Sequence, residues 1–208
     1  METDREELQK QFDGIPPCVS VKDEEEFRAR LLDSIQRLAL RENDSDLAHN
    51  FLIGLAYLDG IDVEVDRERA VELITASAEA ELPEAMEKLR DMYYTGVGVE
   101  RDYRKVLEWC KRIADFCTKE YGEEHPDTLA ALHYLALAYN ALGDYKKALE
   151  LQEKAYQLQR EVLGEEHPDT LHSLNNLIFI CGKLGYHKRV LLLKQKLNQL
   201  RRKGQGNP

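Results

Sequence analysis

The sequence lacks any uninterrupted run of about 18 apolar residues, the length a helix needs to cross a bilayer, so no membrane span is expected. Its opening METDREELQK is acidic and has no apolar centre, which does not fit a secretory signal. The four cysteines, Cys18, Cys110, Cys117 and Cys181, are scattered and form no CxxC pair. Neither a zinc site nor a disulfide framework is indicated, and reduced thiols in a cytoplasmic protein are the simplest reading. The chain has no HExxH, no G-x-S-x-G and no phosphate-binding G-x-x-x-x-G-K-[ST]. GVGVER, which contains Gly96, follows no strand pattern and lacks the third glycine of a dinucleotide fingerprint. No catalytic residue, metal site or cofactor is therefore expected, and the chain is read as not an enzyme. Positive charge is also short: the net charge is −10, which argues against a nucleic-acid partner. Acid in turn is missing from the end of the chain, where nothing after Asp169 is acidic while eight lysines and arginines follow.

What is present is repetition. GEEHPDTL begins at Gly122 and recurs unchanged at Gly164, 42 residues later. The match continues: Leu132 falls on Leu174, Leu135 on Leu177, Leu142 on Leu184 and Gly143 on Gly185. Apolar residues recur three and four apart in each copy, the helical period. Gly143 and Gly185 break each unit where two helices must turn. In the repeated phrase Pro126 and Pro168 suit the first turn of a helix, where a missing N–H costs nothing. His125 and His167 stand at the cap position, and Asp127 and Asp169 place negative charge at the positive helix end. The phrase reads as a loop-to-helix joint. An HPD tripeptide also marks the J-domain co-chaperones, but there it occurs once, not in phase with a repeat.

A second period of 36 residues lies upstream. Ile53 falls on Leu89, Tyr57 on Tyr93, Gly60 on Gly96, Val63 on Val99, Asp66 on Asp102 and Ala78 on Ala114. Asp66 and Asp102 are natural N-caps for the second helix of each pair. Cys110 and Cys117 are seven apart on one helix and read as buried small hydrophobes. Trp109 and the tyrosines at positions 57, 93, 94, 103, 134, 139, 145 and 156 sit at helical spacing and are expected in the inter-helix core.

On GEEHPDTL, on LNNL at Leu174–Leu177 and on ALGDYKKALELQEKA from Ala141 to Ala155, the 42-residue units resemble tetratricopeptide repeats of the kinesin-light-chain type. YYTGVGVERD (Tyr93–Asp102) and YLDGIDVEVD (Tyr57–Asp66) resemble Sel-one-like repeats, with two departures: Asp62 replaces the second glycine, and Arg90 stands where Gly54 stands one unit earlier. The resemblances cover about residues 46–203. They imply an all-α fold, a right-handed solenoid of antiparallel helix pairs with about four repeats plus an N-terminal capping helix. One helix pair cannot bury both its faces, and stacking the next pair on it does so. Small residues mark the close approaches: Ala70, Ala78, Ala114, Ala136, Ala148 and Ala155. In the last unit the last three become Ile178, Val190 and Leu197. Its final helix, KRVLLLKQKLNQLRRK, therefore reads as a basic array end or as a degenerate unit before a segment outside this chain. A basic amphipathic helix could also bind an acidic membrane or a calmodulin-like partner, and a solvated terminal helix is the favoured reading.

Three regions are expected: a cap or linker with an acidic helix over 1–45, two Sel-one-like repeats over 46–120, and two tetratricopeptide repeats over 121–208. The resemblance implies a protein-interaction scaffold that binds a protein or peptide in a concave groove lined by the first helix of each pair. Carried over residue by residue, the groove positions are Asn175 and Asn176 of LNNL, with His133 and Tyr134 in their place one unit earlier. His172 shares a position with Ala130 and Phe179 with Leu137, and Asn140 lies near the groove's end. Asparagine there offers both a donor and an acceptor to an extended backbone. The alternative is a regulatory or sensory fragment of a larger signalling or defence protein whose catalytic domain lies elsewhere. Neither a nucleic acid nor a membrane is expected as a partner, and self-association through the array ends is a further expectation.

Overall fold

The structure is a computed structural model that describes residues 45–60 and 63–205. The expected acidic helix of 1–45, Cys18 and Asp62 lie outside the described residues. All regular structure within them is helical: α1 (Ser45–Asp59), α2 (Arg67–Glu79), α3 (Pro83–Thr95), α4 (Tyr103–Tyr121), α5 (Pro126–Ala141), α6 (Tyr145–Val162), α7 (Pro168–Lys183) and α8 (His187–Gln205). Within the first unit α1, α2 and α3 pack in succession, and within the second α5, α6, α7 and α8 do; the short connections between them make these neighbours antiparallel. The fold class is an all-α repeat solenoid. The chain divides into two compact units, with the division between Ile113 and Ala114, inside α4.

The two sequence periods reappear as two repeated turn closures. In the 36-residue repeats Asp66 N donates to Tyr57 O and Asp102 N to Tyr93 O, each at 3.0 Å. In the 42-residue repeats Asp144 N donates to Tyr139 O at 3.0 Å and Tyr186 N to Cys181 O at 2.9 Å. Gly143 and Gly185 precede the latter bonds with φ of +80° and +74°, a backbone that a side chain would strain. Asp66 caps α2 by accepting from Arg69 N at 3.0 Å, and Asp102 accepts from Arg104 N at 2.8 Å.

In the first unit Phe51, Ile74, Leu82, Met86, Leu89 and Met92 are fully buried, with Ala70 and Ala78 between them. α1 and α2 approach closely at Gly54 of α1. A Cβ there would lie 2.9 Å from Ile74 Cγ1 and 3.3 Å from Ala70 O, inside van der Waals contact. One repeat later the same position is Arg90, 3% exposed, whose Nε and Nη2 reach Asp91 Oδ1 at 2.9 Å and 2.8 Å. The buried guanidinium keeps a charge partner at the rim, as a buried charge must. The turn between α2 and α3 uses a left-handed residue that is not glycine, Glu81, at φ +63°.

In the second unit α5 is buried along nearly its whole length, with Ala136 and Leu137 at its centre. Ala148 and Ala155 of α6 are fully buried. The bulkier replacements in the last pair fill a cluster of their own: Leu174 and Ile178 of α7 pack with Leu197 and Leu200 of α8, and Val190 and Leu193 join from the side. The three described cysteines are buried, and burial pushes the Cys110 thiol up to about 12.

Trp109 and Tyr134 are buried as the spacing predicts. The other seven tyrosines named from the sequence are only half-buried. A phenol pays for losing water around its hydroxyl, so these rings lie at the rim: Tyr94 and Tyr103 meet edge to face, and three others carry a cation over the face. Arg69 lies 5.0 Å from the Tyr57 ring centre, Lys147 5.3 Å from Tyr139 and Lys196 5.5 Å from Tyr156.

Candidate partner-binding face

The joint written twice in the sequence sets the start of α5 and α7, and so the register of their side chains. His125 and His167 occupy the N-cap, each with Nδ1 accepting from the backbone N–H of Asp127 or Asp169 at 3.3 Å, and Pro126 and Pro168 open the helices. An imidazole can cap in this way only through an unprotonated nitrogen. In the first copy Thr128 Oγ1 also donates to Gly122 O at 2.7 Å. In the second copy Thr170 is fully buried and its hydroxyl has no hydrogen bond among the described residues.

From this register α7 presents one open stripe. His172 and Phe179 are half-buried, Asn175 between them is exposed, and Lys183 follows at the helix end. The four are spaced three or four apart, so they share a side of the helix. Lys183 Nζ stands 5.2 Å from the centre of the Phe179 ring. Asn176, one residue on from Asn175, points away from the stripe and is buried.

Behind the stripe lies a polar interior. Asn176 Nδ2 and His133 Nε2 are 3.3 Å apart. An amide nitrogen can only donate, so Nε2 accepts and the His133 proton resides on Nδ1. The His133 ring meets the His172 ring edge to face, with centres 5.4 Å apart. Burial, helped by His172, pushes the pKa of His133 down to about 3, and burial likewise lowers that of His172. Gln152 of α6 lies close enough to His133 to favour its charged form, but neither of its amide atoms nor His133 Nδ1 makes a bond of good geometry. Asn140 is also buried, with both amide atoms unbonded, as are the hydroxyl of Ser173 and Nε2 of His172. Buried polar atoms are ordinarily paired, and here they are concentrated between α5, α6 and α7.

Of the six groove positions named from the sequence, the structure brings His133, His172 and Asn176 into one contact group. It leaves Asn175 open to solvent, sets Phe179 beside it and buries Asn140 two turns from His133. Sequence reasoning missed Gln152 and Lys183. The glutamine could have been found from its place among the small buried residues of α6, seven before Gln159, which is also buried. Among the described residues no group of three or more His, Cys, Asp and Glu side chains is placed to hold a metal ion. No described helix is long and apolar enough to cross a membrane.

Residues 50–82 and 83–115 match the Sel1 repeat family, and residues 100–161 and 127–189 match the tetratricopeptide repeat family. Among solved structures, the chain is similar to a protein assigned as a kinesin light chain from Podosopora anserina, built of nearly identical TPR-like repeats. The TM-score is 0.61 at 22% identity, over 97% of this chain and 98% of that one. A single-substitution variant of the same protein gives the same TM-score and identity, over 97% of each chain. At that identity the likeness shows the fold. No curated protein matches the chain in sequence. Proteins of the two repeat families are generally interaction scaffolds and typically not catalytic. The chain thus carries Sel1 repeats over residues 50–115 and tetratricopeptide repeats over residues 100–189.

Proposed function

We propose that this chain is a non-enzymatic, cytoplasmic scaffold that binds a protein or peptide partner along the first helices of its tetratricopeptide repeats. The observation that carries the reading is the open stripe of α7, which pairs an exposed amide with an aromatic face and a cation at Asn175, Phe179 and Lys183. These are the side-chain types that bracket a backbone and seat an apolar anchor. Asn175, His172 and Phe179 touch the partner. His133 and Asn176 stand behind His172 and set its orientation, and Asn140 closes the polar interior beneath. The reading places the partner-binding repeats in 121–208, the Sel1 repeats in 46–120 and a cap in 1–45. The partner is a protein or peptide rather than a nucleic acid or a membrane, in keeping with the net charge of −10.

Affinity capture tests this with the intact chain beside a variant carrying Asn175→Ala and Phe179→Ala, both checked for equal helicity by circular dichroism. Loss of a captured partner in the variant is the expected result. Survival of every captured protein at undiminished yield would overturn the assignment.

A further inference from the structure

The outer face of α8 departs from its counterpart in the preceding pair in a directed way. With the 42-residue offset, Gln152, Tyr156 and Gln159 of α6 correspond to Lys194, Asn198 and Arg201 of α8. The two glutamines are buried and Tyr156 is half-buried, whereas Lys194, Asn198 and Arg201 are all exposed. At the same offset the exposed Glu150 becomes Leu192. Two buried glutamines have thus become exposed cations while an acid has become a leucine. Leu192 at 65% and Leu191 at 60% are the most exposed large apolar side chains among the described residues. They are flanked by exposed Lys188, Lys194, Arg201 and Arg202, and the chain has no acid after Asp169. Arg189 and Lys196, three and four residues from Leu192, border the same face, and their charges are already met by Glu153 and Glu165. Such a face suits a partner that is acidic and apolar together.

The chain carries that chemistry in its first unit. Next in exposure is Val65 at 57%, in the connection leading into α2, with Val63 also exposed. Around them stand four exposed acids, Glu64, Asp66, Glu68 and Glu72, against two exposed cations, Arg67 and Arg69, of which Arg69 lies over the Tyr57 ring, so the stretch keeps a net negative charge. Glu68 and Glu72 are four apart and share a side of α2. The charge of the whole chain is divided in the same sense: residues 1–120 hold 29 acids and 17 bases, and residues 121–208 hold 10 acids and 12 bases. Two α8 faces would repel each other through their cations, which disfavours a symmetric pairing through that helix.

We propose that α8 of one copy docks on the Val63–Glu72 face of a second copy, giving head-to-tail association. Leu191 and Leu192 cover Val63 and Val65, and Lys188 and Lys194 face Glu68 and Glu72. Unlike surfaces meet, so the contact is heterologous. Complementary charge sets partner choice and encounter rate, and the buried leucines hold the contact.

Sedimentation equilibrium of the full chain tests this at roughly 50 mM and roughly 500 mM salt, where screening lengths differ about threefold. The weight-average mass is expected to rise with protein concentration at low salt and to rise less at high salt. Leu191→Ser with Leu192→Ser should weaken association by roughly tenfold per leucine. A charge swap guards against a folding artefact. Lys188→Glu with Lys194→Glu, and Glu68→Lys with Glu72→Lys, should each give a monomer, and an equal mixture of the two should associate. The proposal is overturned if the unaltered chain is monomeric at every concentration, if either charge-reversed chain associates as well as the unaltered one, or if the mixture stays monomeric. Vesicles containing phosphatidylserine provide the remaining arm. Binding to them by a chain that stays monomeric would assign α8 to a lipid surface and overturn the proposal as well.

Discussion

Lys196 Nζ lies 2.9 Å from Glu165 Oε1, and the pair repeats one unit earlier, where Lys154 Nζ lies 3.2 Å from Glu123 Oε2. The first glutamate of the duplicated phrase therefore ties the joint to the second helix of its own repeat in both copies. The lysine holds the Glu165 carboxyl below its ordinary range through hydrogen bond and charge together. Both pairs face solvent, where the gain in Coulomb energy is offset by side-chain ordering and screening. The ion pairs explain why the phrase keeps its glutamate but not what makes the joint rigid.

The joint's threonines provide the discriminating measurement. Thr128→Val removes the bond to Gly122 O and leaves that carbonyl without its donor, at a cost of about 1–3 kcal/mol. Thr170→Val removes a buried hydroxyl that bonds to nothing, and should be neutral or slightly stabilising. Glu123→Gln should cost no more than about 0.5 kcal/mol. Urea unfolding of the three variants, compared by midpoint at constant slope, gives the order directly. Equal losses at the two threonines would show that the second hydroxyl is bonded after all.

Acid should weaken the second unit through His133. Its folded pKa is about 3 against an ordinary 6.5, so the unfolded chain takes up a proton below pH 6.5 that the folded chain refuses. The stability this imidazole provides is intact above pH 6.5 and is lost as pH falls from there toward 3. The slope approaches 1.4 kcal/mol per pH unit in the middle of that window. His172 contributes with the same sign. The carboxylates also respond to acid, so the informative quantity is a difference. His133→Gln should unfold with a flatter dependence on pH between 6 and 4 than the unaltered chain. Parallel curves would mean that His133 is already solvated and titrates normally.

Asn176 and His133 should be energetically coupled. Asn176→Ala leaves His133 Nε2 as a buried acceptor without a donor and is expected to cost about 1–3 kcal/mol. His133→Ala alone leaves the amide unpaired, and the double change removes both partners. The coupling from a double-mutant cycle should be about 0.5–1.5 kcal/mol. Additive losses would mean that the contact carries no energy.

The helix pairs, their periods and their joints were legible in the sequence because they rest on local chemistry. Pro126 after His125, Asp66 before a helical run and Gly143 between two apolar stripes each fix a backbone state by themselves. The rim position of the tyrosines was not legible, since helical spacing places a ring on a face without saying whether its hydroxyl reaches water. Asn175 and Asn176 show the same limit at the candidate site. They are neighbours in LNNL, yet about 100° of helical rotation separates them, so one meets solvent and the other meets His133. The sequence pattern names the pair, and only the packing of α7 against α5 divides their roles.

Glu81 offers a gain in stability. Its φ of +63° puts Cβ close to its own carbonyl oxygen, at a cost of roughly 1–2 kcal/mol. Glu81→Gly relieves this strain, against which the freer unfolded chain sets part of the gain. A net stabilisation of about 0.5–1 kcal/mol is expected, read as a higher urea midpoint. A lower midpoint would show that the Glu81 side chain makes a contact worth more than the strain.

Gly54 and Arg90 occupy one repeat position with opposite solutions, and two substitutions separate them. Gly54→Ala introduces a Cβ 2.9 Å from Ile74 Cγ1 and 3.3 Å from a backbone carbonyl that cannot move aside, so overpacking of about 1–3 kcal/mol is expected. Arg90→Ala acts by the reverse mechanism: it empties a buried volume and strips Asp91 of its bond, for a loss of similar size. The two losses should add, because the residues sit in successive repeats with different neighbours. Ile74→Ala tests the cause at the first site. It removes Cγ1, the atom that meets the new Cβ, so it should recover part of the Gly54→Ala loss. It should be destabilising by about 2–5 kcal/mol in the unaltered chain. If Ile74→Ala costs the same in both backgrounds, the close approach at Gly54 is not what excludes a side chain there.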